Sequence, residues 1–154
     1  MTDLLRHTLA TIAYRGGKVV RDAPASFADY RYGDSPRTPI QILAHIGDLF
    51  DWACHLARGE KTWHESPPQS WEHESQRFFD GLARVDQHLA TEPLQCDAGR
   101  LFSGPIADAL THIGQLAMLR RMSGAPIRGE NYFAADIQAG RVGPEQSAPK
   151  RQFD

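Results

Sequence analysis

Apolar positions recur at three-and-four spacing in four stretches of this chain, and nowhere does apolar alternate with polar as a half-buried strand requires. The first stretch runs from Asp3 to about Val20, with Leu4, Leu5, Thr8, Leu9, Ile12 and Ala13 setting the pattern. Gly16-Gly17 weakens it near its end. At about 1 kcal/mol per glycine in a helix interior, the pair predicts a stop, a kink or the close approach of a neighbouring backbone. Asp22 to Arg37, which carries Pro24, Gly33 and Pro36 among scattered aromatics, reads as a long connection lying across the helices.

Thr38-Pro39-Ile40-Gln41 is a capping box with proline at the first helical position, and it launches a second helix to about Arg58, just before Gly59. Ile42, Ile46, Leu49, Ala53 and Leu56 form its stripe; His45 and Trp52 share the shoulder, so His45 faces the interior obliquely. Glu60 to Gln69, with Trp63, His64, Pro67 and Pro68, has no period and reads as a loop able to cover a pocket. Ser70 caps a third helix through about Ala90, with Glu72 and Glu74 in its first turn and Phe78, Phe79, Leu82, Val85 and Leu89 as its apolar set.

After a connection from Thr91 to Phe102, the fourth helix has both ends marked. Ser103 stands as N-cap and Pro105 lies in the first turn. Arg120 and Arg121 are partners for the dipole in the last turn, and Gly124 stands where the chain must turn away. Asn131 to about Ala139 reads as a short helix ended by Gly140, followed by a mobile tail. The expectation is an all-α protein, a four-helix bundle with long crossover connections, with one domain over residues 1–140 and a flexible tail over 141–154.

Composition narrows the function classes. A chain of 154 residues that is 41% hydrophobic can bury a core as a single domain. A net charge of −2, from 17 basic and 19 acidic residues interspersed along the chain, offers no field for nucleic acid or an anionic membrane surface. No apolar run approaches the roughly 20 residues of a membrane span and no signal-peptide core opens the chain, which predicts a soluble, cytoplasmic protein. Cys54 and Cys96 are isolated and read as reduced, structural thiols.

The candidate chemistry lies on the second and fourth helices. Asp108 and His112 stand one turn apart, on one face, and His45 can complete a set of two imidazoles and one carboxylate. Such a set holds a divalent cation and leaves positions open for water or substrate. Asp48, one turn after His45, is the competing carboxylate or a partner for a ligand. Gln115 lies on the side of Asp108 and can orient a ligand, and Trp52 can wall the pocket. His7, His55, His64, His73 and His88 fall on surfaces or loops as non-ligands, with His64 the best placed to reach a site. No catalytic base, nucleophile or substrate-binding arginine stands out.

Ile42-Leu43-Ala44-His45-Ile46-Gly47-Asp48-Leu49 resembles the second helix of the DinB/YfiT-like bundles, and His112-Ile113-Gly114-Gln115 resembles their fourth-helix motif. The likeness covers most of residues 1–124. In that family three histidines hold a divalent metal, one from the second helix and an H-x-x-x-H pair from the fourth. By position His45 and His112 match, and Asp108 stands where the first histidine of the pair would be. Family members include transferases that use bacillithiol or mycothiol, and a glutathione- or mycothiol-dependent maleylpyruvate isomerase. The resemblance therefore implies a zinc, nickel, manganese or iron ion in an enzyme that activates a low-molecular-weight thiol or a water. The alternative is a non-catalytic metal-binding or stress-response module. It also implies a homodimer packed partly through the fourth helix, where Ile106, Ala109, Leu110, Ile113, Leu116 and Ala117 occupy one broad face and Leu119 another; cover by residues 126–140 is the alternative.

Overall fold

Four long helices carry most of the chain in a computed structural model that describes residues 1–34 and 37–153. Pro36 of the first connection and Asp154 of the tail lie outside the described residues. The helices are α1 (Thr2–Val20), α2 (Pro39–Ala57), α3 (Trp71–Thr91), a short α4 (Ala98–Leu101) and α5 (Ala107–Met122). Among the described residues the protein is all-α apart from one antiparallel pair of two-residue strands, β1 (Gly129–Glu130) and β2 (Gln152–Phe153). Among the described residues no helix is long and apolar enough to cross a membrane.

The local signals act as their chemistry dictates at three helix ends. Thr38 N donates to Gln41 Oε1 at 2.9 Å to open α2, and Ser70 Oγ accepts from His73 N at 3.1 Å to open α3. Gly124, at φ +85°, turns the chain away after α5. The start of the fourth helix differs from expectation. Ser103 is not its cap; Asp97 accepts from Arg100 N at 2.8 Å to cap α4. The chain then runs through a π-helical turn, Phe102–Ile106, into α5. Pro105 has no N–H to give the helical ladder, and Gly104 takes the non-helical ψ of −108° that lets the helix continue past it.

α1 and α2 each pack against both α3 and α5, so the core lies inside a ring of four helices. Leu9, Ile12, Leu43, Ile46, Phe50, Phe78, Leu82, Ile106 and Leu116 are fully buried there. Gly16 and Gly17 neither stop nor kink α1. A Cβ on Gly16 would stand 2.5 Å from Phe78 Cζ and 3.1 Å from Ile113 Cδ1, so the close approach is made by side chains of α3 and α5, not by backbone. Cys54 is buried and Cys96 half-buried, and both are free thiols.

The chain after α5 corrects one expectation. Asn131 to Ala139 forms turns rather than a helix, and residues 141–153, mostly exposed, touch the rest of the protein at a few points. Val142 is buried, and β2 pairs Phe153 with Gly129. The anchor is Glu130, which is buried: Tyr14 Oη donates to its Oε1 at 2.6 Å and Lys18 Nζ to its Oε2 at 2.8 Å. Tyr132 adds an edge contact to Tyr14 and lies under the Arg15 guanidinium. This segment is held by a few polar anchors, which leave no periodic signature in a sequence. Arg120 differs as well. Rather than serving its own helix end it is buried, and its Nη1 donates to Val19 O (2.8 Å) and Arg21 O (3.1 Å) where α1 ends.

Two predictions follow from this packing. Gly16→Ala should lower stability by about 1–3 kcal/mol, because the overpacking outweighs the gain in helix propensity. Gly17→Ala, whose Cβ would meet Phe79 Cζ at an ordinary 3.7 Å, should raise it by up to about 1 kcal/mol. Chemical denaturation of the two variants tests both signs at once. Burial alone would raise the Glu130 carboxyl, but Lys18 and Tyr14 outweigh it and hold the group below its ordinary 4.5. Its contribution to stability is therefore complete above that value and is lost as pH falls through the folded-state pKa. The deficit of Glu130→Gln relative to wild type should shrink as pH is lowered from 5 to 3; a deficit that stays constant would place its origin elsewhere.

Candidate metal centre

The set expected from the sequence is brought together. His45 comes from the second turn of α2, and Asp108 and His112 from the first two turns of α5. One ligand atom from each of the three lies within 4.8 Å of the others. His45 Nε2 is 3.8 Å from Asp108 Oδ2, and His112 Nε2 is 3.5 Å from Asp108 Oδ1. The two imidazole rings meet edge to face, with centroids 4.8 Å apart. A tetrahedral ion with ligands at about 2.0–2.2 Å needs donors about 3.3–3.6 Å apart, close to the 3.5 and 3.8 Å separations found here. The donor set fits a divalent cation.

Protonation favours the same role. Gln115 Oε1 lies 2.7 Å from His112 Nδ1. An amide oxygen accepts, so the neutral tautomer that satisfies this contact carries its hydrogen on Nδ1 and leaves Nε2 as the ligating atom. Burial, with the neighbouring His112 and the Arg37 charge, pulls His45 below its ordinary 6.5 against the opposing fields of Asp108 and Asp48. Its imidazole is therefore neutral at neutral pH, the form that ligates. The Asp108 side chain is 48% exposed while those of His45 and His112 are 20% and 12% exposed, so the set opens to solvent on the carboxylate side. A cleft of about 210 Å³ adjoins it, lined by Arg37, Gln41, His45, Asp48, Glu65 and Ser66. A larger depression, of about 700 Å³, lies by Arg58, Arg84 and His88 and includes none of the three.

The supporting residues divide. Asp48 is no competitor for the metal: Arg77 Nη2 donates to its Oδ1 at 2.5 Å and Ser66 N to its Oδ2 at 3.1 Å. Trp52 touches Trp63, whose ring stands edge-on to Trp52 (5.7 Å between centroids) and to His45 (5.8 Å). The loop from Glu60 to Gln69 thus lies over His45, and it is Trp63 that touches the site. His64 turns away and packs on His55.

Two contributors went unread in the sequence. Trp63 is a large aromatic in an otherwise polar loop, the one signal it carried. Arg77 donates to Ala44 O (3.0 Å), next to His45, and to Asp48 and Asp51. It lies flat against α2 because Gly47 has no Cβ, which would stand 2.7 Å from Arg77 Nη1. Its signal was Asp48 and Asp51, a turn apart on a helix otherwise poor in charge.

No family model, curated protein or solved structure matches this chain.

Arg77→Met should cost about 3 kcal/mol, because it leaves the buried Asp48 and its neighbour Glu74 without a counter-charge. Thermal and urea unfolding would register it; an unchanged midpoint would show that the cluster contributes nothing net.

Proposed function

We propose that this chain forms a DinB/YfiT-like bundle with crossover connections, binds one divalent metal ion through His45, Asp108 and His112, and uses it to activate a small nucleophile, a thiol or a water. The observation that carries this reading is the convergence of three donors from two helices within 4.8 Å, on a face that opens to solvent beside a cleft. A purely structural site would be closed by four protein ligands; this one offers three. The ion, when bound, supplies Lewis acidity that lowers the pKa of a thiol or water at an open position.

The residues of the chain do the rest. Gln115 holds the proton of His112 on Nδ1, so the ring presents Nε2. Burial keeps His45 neutral. Asp108 directs one carboxylate oxygen toward each imidazole and supplies the negative charge of the set. Trp52 and Trp63 form an apolar wall beside His45 that limits the water reaching it, while Arg37, Gln41 and Ser66 give the adjoining cleft its polar lining.

Metal content measured by mass spectrometry, on untagged protein purified without chelator, tests the reading. The expected result is about one divalent ion per chain in wild type and a loss of more than tenfold in His112→Ala, with the variant still folded by circular dichroism. Activity assays with thiols and hydrolysable esters in the presence of that ion then separate the two nucleophiles. Wild type that takes up no zinc, nickel, manganese or iron, or a folded His112→Ala that keeps its full complement, would overturn the assignment.

A further inference from the structure

A second cavity, of about 240 Å³, lies where α1 and α5 end against the chain that follows α5; Tyr14, Lys18, Arg21, Asp22, Arg120 and Arg128 are among its lining residues. It shares no residue with the metal centre. Lys18 is paired with the buried Glu130, whereas Arg21 and Arg120 make no ion pair among the described residues and face one lining carboxylate, Asp22.

Arg120 is the central group. It is 6% exposed. Its Nε donates to Ala125 O at 2.7 Å, and its Nη1 donates to Val19 O and Arg21 O. Those bonds take the hydrogens of Nε and Nη1 and leave the two on Nη2, out of the five a guanidinium carries. Among the described residues no carboxylate is hydrogen-bonded to Arg120, and Asp22 acts on it only through space. A buried cation with spare donors beside a cavity is an arrangement that an anion completes. The other cations are held in place around it: Lys18 Nζ by Glu130 Oε2 (2.8 Å), Arg21 Nη1 near Pro144 O (3.5 Å) and Arg128 Nη1 by Gln152 Oε1 (3.2 Å).

We propose that this cavity binds a small oxyanion, a phosphate or carboxylate group received by Arg120 with Arg21 at the rim. Its volume supports the size class: at about 30 Å³ per water it holds a group of a few heavy atoms and falls below the range of drug-sized ligand pockets. The bound anion joins the ends of α1 and α5 to the segment after α5, because the cavity wall is drawn from all three. Asp22 is the one lining carboxylate that opposes it. At φ +53° it occupies a backbone conformation that asparagine adopts equally well, so its charge can be removed without disturbing the turn.

The test is a titration of the full chain with phosphate and with citrate, against chloride at matched ionic strength, followed by calorimetry and by amide chemical shifts. Saturable binding of phosphate or citrate beyond chloride is expected, with shifts at Arg21, Asp22 and residues 120–128 and none at His45 or His112. Tighter binding of phosphate identifies a phosphate group as the ligand, and tighter binding of citrate identifies a carboxylate. Asp22→Asn should tighten binding several-fold, and the rim variant Arg21→Gln should weaken it several-fold. Equal responses to all three anions, shifts confined to the metal centre, or unchanged affinity in Asp22→Asn would overturn the site.

Discussion

The close packing of α5 on α2 is the constraint on which the rest depends, because the three donors come from these two helices and from no others. What fixes it is the π-helical turn. Gly104 lies over the Trp52 ring, where even a Cβ would reach ordinary contact at 3.8 Å, and Ile106 is fully buried behind it. The turn changes the phase of the helix just before Asp108, so that Asp108 and His112 emerge toward His45. A regular helix from Ala98 onward would carry the same residues round to a different bearing.

Two guanidiniums, Arg77 half-buried and Arg120 buried, hold the outer parts of the molecule, and they do so by different chemistry. Arg77 sits among Asp48, Asp51 and Glu74, and through Asp48 it reaches the backbone of the loop that carries Trp63. Arg120 instead uses carbonyl oxygens, at the end of α1 where the helix leaves them unsatisfied and where its dipole is negative. The first arrangement neutralises charge; the second satisfies hydrogen bonds while leaving the charge largely uncompensated. One arginine therefore closes its surroundings and the other leaves an opening.

Much of this was legible in the sequence wherever the information is local. The capping box at Thr38, the Ser70 cap and Gly124 are each decided by a few adjacent residues, and the helices begin or end where those residues require. His45, Asp108 and His112 could be placed on helix faces by period alone, and Gln115 by its place on the side of Asp108. The start of the fourth helix could not, because Pro105 is equally compatible with a first turn and with a kink; only the packing of Ile106 and Trp52 decides between them. The path after Pro126 was unreadable for another reason. Glu130 finds its partners on α1, at Tyr14 and Lys18, and a pairing across that much sequence leaves no period to detect.

Trp63 gives the site a property beyond its composition. Because the indole packs on both His45 and Trp52, and Asp48 holds the same loop by the Ser66 amide, the loop and the centre form one cooperative unit. A molecule approaching His45 from the loop side must displace an aromatic contact and a part-buried hydrogen bond together, whereas one arriving beside Asp108 displaces neither. The two approaches thus differ in activation barrier: ligands would exchange quickly by the carboxylate side and slowly beneath the loop, so the residence time of a bound molecule depends on which side it occupies.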